Sequence, residues 1–165
     1  IKGCEVPNEG WDVIFTSNNI KYYIEMKNKH NTMNSSSASR TFMRMQNHLL
    51  NSQDKDMSIC ALVEVIAKCS QNIPWTITLD KQKQGANEHL RRISIDKFYE
   101  IVTGDKDSFK KICEQLPDTI NKIISNNKSL QVEEDSVIDE LSHMNRDILL
   151  ALYKLAFSTY EGFDL

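Results

Sequence analysis

Three residues near the start of the chain have the types and spacing for metal-assisted chemistry: Asp12, Glu25 and Lys27. Paired carboxylates offer hard oxygen ligands to a cation such as Mg²⁺, which keeps several waters and readily accepts phosphate oxygens. A lysine beside them can orient a water or, as the neutral amine, deprotonate it, and as the ammonium steady negative charge as it develops. Glu25 and Lys27 are two residues apart, so on a strand they share a face. On spacing alone the simpler account is a wet hairpin face, with Lys27 neutralising Glu25. What separates the two accounts is where Asp12 falls.

The elements that must position these groups lie in residues 11–32, WDVIFTSNNIKYYIEMKNKHNT. Val13 and Phe15 alternate with Asp12, Ile14 and Thr16. Tyr22, Ile24 and Met26 alternate with Lys21, Tyr23, Glu25 and Lys27. Period-two alternation of β-branched and aromatic residues predicts two strands. Asn18-Asn19 suits a two-residue hairpin loop, because Asn tolerates positive φ. That loop sets Ser17 across from Ile20, Phe15 across from Tyr22, and Asp12 across from Glu25. Opposed residues on one face have Cβ atoms about 4.5–5.5 Å apart, and like charges so placed repel. A divalent cation converts the repulsion into coordination.

Asp12 followed, after an interval, by Glu25-Met26-Lys27 resembles the PD-(D/E)xK nuclease motif, with Trp11 standing where the motif has Pro. The run EMKNKHNTMN (residues 25–34) resembles type II restriction endonucleases of the SinI/Sau-type GGNCC-cutting group. A second run, RRISIDKFYEIVTGDKDSFKKICEQLP (residues 91–117), is similar to the same group. The resemblance implies an α/β (α+β) fold, a central mixed sheet with a catalytic hairpin flanked by helices. It implies Mg²⁺ held by Asp12, Glu25 and the backbone carbonyl of Met26, with Lys27 catalytic. It also implies double-stranded DNA as substrate, cut at a short G/C-flanked palindrome such as GGNCC or GG(A/T)CC by a homodimer. A cytosine methyltransferase would be the functional companion, and the setting a bacterial cytoplasm. Two other readings stay open: another PD-(D/E)xK nuclease, for DNA repair or junction cleavage, and a non-catalytic DNA-binding or interaction domain.

A chain of 165 residues, 40% hydrophobic and 26% charged, predicts one globular domain. Within it, residues 1–95 read as the catalytic sheet core and residues 96–165 as mainly helical. Residue 1 is Ile rather than Met, so upstream sequence is expected. No apolar run approaches a transmembrane length. The four cysteines form no Cys-x-x-Cys pair, which argues for reduced thiols and against a zinc site. The net charge of −3 hides an asymmetry. Residues 20–48 carry five basic residues against Glu25, a net of +4, and residues 81–97 carry +3. Residues 130–165 carry −6. A basic front and an acidic back suit a protein that binds DNA on one side.

Further along, residues 28–39 read as a polar loop. There Lys29, His30, Asn31 and Thr32 are candidate DNA contacts, and His30 a candidate proton shuttle or a backbone-bonded loop histidine. A helix is predicted over residues 39–51, with Phe42, Met45 and Leu49 inward. Arg40 and Arg44, four apart, share its other face as a candidate phosphate clamp. Residues 58–67 read as a buried strand, Trp75 as core, and residues 80–88 as a loop whose Lys81 and Lys83 could enter a groove. Residues 90–95 read as an edge strand, followed by a helix capped by Asp96. The helix carrying Phe109, Ile112, Cys113 and Leu116 is expected to end at Pro117. Two more helices are predicted over residues 133–144 and 145–160.

Overall fold

The computed structural model describes residues 3–79, 81–126 and 156–161. The chain runs through β1 (Cys4–Glu5), β2 (Val13–Ser17), β3 (Ile20–Lys29), α1 (Ser35–Asn51), β4 (Ser58–Ile66), β5 (Asn72–Pro74), β6 (Thr78–Leu79), β7 (Gln82–Lys83), β8 (Leu90–Ser94), α2 (Ile95–Thr103) and α3 (Ser108–Asn126). Six of the strands form one mixed sheet in the order β1-β2-β3-β4-β8-β5. β1, β2 and β3 are an antiparallel meander; β3, β4 and β8 are parallel; β5 is antiparallel on the far edge. Parallel neighbours need a long crossover, and α1 supplies it between β3 and β4.

Both faces of the sheet are covered, which explains the largely apolar reading of β4. Ile24, Ala61, Val63 and Ile93 point to one face and pack with Phe98, Phe109 and Cys113 of α2 and α3. Tyr23, Cys60, Leu62 and Leu90 point to the other and pack with Phe42, Met45 and Leu49 of α1 and with Trp75. The side chains of Phe157 and Tyr160 complete the first core. The Tyr160 hydroxyl donates to Val65 O at 2.8 Å and accepts from the Ala67 N–H at 2.7 Å, closing the end of β4.

The β2–β3 hairpin has the expected register, with Ser17 opposite Ile20 and Phe15 opposite Tyr22. Asn18 and Asn19 have φ of 51° and 63°, the left-handed pair that a two-residue turn needs to match strand twist.

Four expectations are corrected. The polar loop after β3 is shorter than residues 28–39, because Asn34 caps α1 by accepting from the Ser37 N–H at 2.8 Å and so starts the helix at Ser35. β8 is interior, since β5 covers it; the edge strand is β5, where Pro74 costs little. Ser94, not Asp96, is the N-cap position of α2, and Asp96 is buried in its first turn, bonded to the hydroxyls of Ser94 and Ser70. Finally, α3 runs through Pro117 to Asn126. Proline removes one backbone donor there, while the apolar spacing from Phe109 to Ile123 stays in helical phase across it. The predicted helix over residues 133–144 and most of that over residues 145–160 lie outside the described residues.

Candidate active site

The meander and the parallel ladder together place the chemistry-bearing residues on the α1 face of the sheet. β2 ends at Val13, paired with Ile24, and Asp12 is the next residue back along the chain. Its N–H donates at 2.9 Å to Ile24 O, the residue opposite Val13, so Asp12 adjoins the ladder out of its register rather than extending it. Its carboxylate then turns onto β3 and accepts from the Met26 N–H at 2.7 Å. Because β2 stops there, the Met26 backbone meets a side chain where a strand neighbour would otherwise stand. A strand residue directs its N–H and C=O to the same side, so the Met26 carbonyl also faces the side that Asp12 occupies.

Glu25 is partly buried, and both of its oxygens are taken. Lys27 Nζ lies 2.6 Å from Oε1, and the Arg44 guanidinium lies 2.5 Å from Oε2. Burial alone pushes the Glu25 carboxyl pKa up, but the hydrogen bonds and charges of Lys27 and Arg44 outweigh it and hold the group below its ordinary value. The carboxylate is therefore ionised at neutral pH, with both oxygens engaged by cationic side chains. Asp12, Glu25 and Arg44 line one open cleft of about 380 Å³, walled by the loop 6–11. Asp12 and Glu25 thus share the cleft, but the β2–β3 ladder ends at Val13–Ile24 and the expected pairing of Asp12 directly opposite Glu25 is not part of it.

These donors suit a hard cation. Two carboxylates and a neighbouring backbone carbonyl are oxygen ligands, and the open cleft leaves room for water and phosphate oxygens to complete an octahedral shell. Among the described residues no group of three or more His, Cys, Asp or Glu gathers to hold a metal. Glu9 lines the same cleft.

The other candidates are distributed unevenly. Lys29, Asn31 and Thr32 are exposed just past the site, at the end of β3 and in the turn that follows. The Thr32 hydroxyl donates to Lys29 O at 2.9 Å. His30 is held against β4, with its N–H 3.0 Å and its Nδ1 3.3 Å from Ile66 O, which fits a backbone-bonded loop histidine better than a free proton shuttle. Arg40 is exposed on α1, one turn before Arg44. The two are not a matched clamp: Arg44 reaches into the cleft, bonding Glu25 and Gly10 O and stacking on Trp11 with 4.6 Å between the guanidinium carbon and the ring centre. Lys81 and Lys83 are exposed on the β6–β7 hairpin, apart from the six-stranded sheet.

One pair escaped the reading of the sequence. Glu64 lies beside Lys27 in the β3–β4 ladder, so its side chain shares the face of the site. It is buried, and Arg92 of β8 spans both its oxygens, with Nε at 3.0 Å and Nη2 at 2.6 Å. The available signal was a lone acid inside the apolar run SICALVEVI of β4. A charge in such a run needs a partner.

Comparison with known proteins identifies the family. A curated relative, the type II restriction enzyme Sau96I from Staphylococcus aureus, is 28% identical over 115 residues, covering 66% of this chain and 43% of that protein. The chain thus spans under half the length of the curated relative it matches. No solved structure matches the chain. The family model for the Eco47II restriction endonuclease matches residues 1–125, which include every element from β1 to β8 and the Asp12 and Glu25 of the cleft. The chain belongs to this family of type II restriction endonucleases.

Proposed function

We propose that this chain carries the catalytic centre of a Mg²⁺-dependent, site-specific endonuclease that hydrolyses double-stranded DNA. The observation that carries the reading is the convergence of Asp12 and Glu25 on one cleft, with Lys27 bonded to Glu25 and the Met26 backbone turned toward Asp12. Asp12, Glu25 and the Met26 carbonyl are the residues that would hold the cation. When bound, Mg²⁺ supplies Lewis-acid polarisation of the phosphate and a more acidic water.

The protein's own groups do the rest. The Met26 N–H fixes the Asp12 carboxylate at the end of β2. Lys27 orients the attacking water and stabilises charge on the phosphoryl oxygens. The water oxygen bonds to phosphorus in line and gives up a proton to solvent as the P–O3′ bond breaks, and the 3′-oxygen takes up a proton. The products are a 5′-phosphate and a 3′-hydroxyl. Lys29, Asn31, Thr32 and Arg40 lie on the exposed flank where a duplex would approach, and Lys81 and Lys83 on a hairpin able to enter a groove. A short palindrome such as GGNCC or GG(A/T)CC, a two-fold dimer cutting one strand per subunit, a partner cytosine methyltransferase and a bacterial cytoplasmic setting complete the proposal.

Digestion of unmethylated phage DNA with Mg²⁺, followed by sequencing of the fragment ends, tests it. Discrete fragments sharing one end sequence are expected, and Lys27→Ala should abolish them. Structure-selective nicking would instead indicate a repair or junction nuclease. Equal inertness of wild type and Lys27→Ala with Mg²⁺ or Mn²⁺ would overturn the enzymatic reading.

A further inference from the structure

Arg44 stands where a metal ion's charge would be felt most. Its guanidinium is 2.5 Å from Glu25 Oε2, while Lys27 occupies Oε1. It is anchored twice more, by a 2.6 Å bond to Gly10 O and by the Trp11 ring, so it spans the cleft from α1 to the loop opposite. Its side chain remains 42% exposed, so it is within reach of a ligand entering the cleft. A cation approaching Glu25 meets a full positive charge already in contact with the carboxylate.

A phosphodiester offers the guanidinium an alternative acceptor of matched, bidentate geometry. We propose that Arg44 is an internal counter-ion: it occupies Glu25 in the free protein, transfers to a backbone phosphate when duplex DNA enters the cleft, and so couples metal loading to DNA binding. The inference rests on the nuclease reading above and adds to it the order in which the site is filled. Arg44 is a positioning residue here, acting on the metal site through Glu25. Linkage makes the coupling reciprocal: if DNA raises metal affinity, metal raises DNA affinity by the same factor.

The test measures binding rather than turnover. Mn²⁺ binding to the DNA-free protein is followed by the paramagnetic resonance of unbound Mn²⁺, for wild type, Arg44→Gln, Arg44→Lys and Glu25→Gln. Gln keeps a polar reach toward Gly10 but removes the charge; Lys keeps the charge. Arg44→Gln should bind Mn²⁺ on the order of tenfold more tightly than wild type, Arg44→Lys should stay near wild type, and Glu25→Gln should lose the site. In parallel, duplex DNA binding by fluorescence anisotropy in Ca²⁺ should show a salt slope shallower by about one in Arg44→Gln, as expected for one lost phosphate contact. Circular dichroism of each variant confirms folding. If Arg44→Gln and wild type bind Mn²⁺ equally, through a site that Glu25→Gln removes, the counter-ion role fails and the nuclease reading stands. If none of the proteins binds Mn²⁺ at Glu25, both fail.

Discussion

The Asp12 carboxylate accepts a 2.7 Å hydrogen bond from the Met26 backbone N–H, so a backbone donor on the open side of β3 is satisfied by a side chain rather than by a strand. This bond holds the acid at the strand end and turns the backbone between Glu25 and Lys27 toward it. Asp12→Asn keeps an acceptor for the Met26 N–H but removes the charge. Cleavage should fall by at least about a hundredfold, roughly 2.7 kcal/mol of barrier, with the melting temperature little changed. Kinetic assays with thermal melts check this. A melting temperature that collapses with activity would make Asp12 a structural residue only.

Lys27 has one recorded partner among the described residues, Glu25, and is 30% exposed, so its removal should cost little stability. Lys27→Ala should lose cleavage by a hundredfold or more while retaining DNA binding. Parallel measurement of single-turnover rate and DNA affinity separates the two. Loss of affinity with an unchanged rate would reassign Lys27 to phosphate contact.

The Glu64–Arg92 pair predicts an asymmetry in stability. Arg92→Met leaves a buried carboxylate without its cation and should cost about 3 kcal/mol, whereas Glu64→Leu combined with Arg92→Met should recover most of that loss. Urea unfolding of the single and double variants measures it. An additive double variant would show that the pair is not coupled.

Asp54 gives a pH signature. The Tyr23 hydroxyl donates to it at 2.5 Å and, with smaller help from Ser52 and Lys21, holds its pKa at about 2 against an ordinary 3.8. Because the folded value lies below the unfolded one, this stabilisation is complete above the unfolded pKa and is lost as pH falls toward 2. Tyr23→Phe should therefore narrow its stability gap from wild type as pH drops from 5 to about 2. Denaturation series at stepped pH would show it, and a gap that does not change with pH would rule the bond out as its source.

The hairpin turn predicts a local effect. Asn18 and Asn19 both hold positive φ, which costs a residue with an ordinary side chain about 1–2 kcal/mol. Asn19→Gly should raise stability slightly, and Asn19→Val should lower it by at least 1–2 kcal/mol. Chemical denaturation of the two variants is the check. Equal stabilities would mean the turn does not constrain the register.

What the sequence determined by itself is local. Alternation and an Asn-Asn turn specify β2, β3 and their register, since each depends only on neighbours along the chain. The apolar run specifies β4, and helical spacing specifies α1 and the inward side chains of Phe42, Met45 and Leu49. Trp75, Cys60 and Cys113 are core, as their surroundings suggest. The tertiary structure decided what depends on residues far apart in sequence. Arg44 turns to Glu25, 19 residues away, instead of pairing with Arg40. Arg92 finds Glu64 only because β8 lies beside β4. β8 is interior only because β5 returns to cover it. Pro117 stays within a helix although a local rule ends one there. Periodicity reports which face a side chain takes; which opposite charge waits on that face is set by the order in which strands and helices are laid against one another.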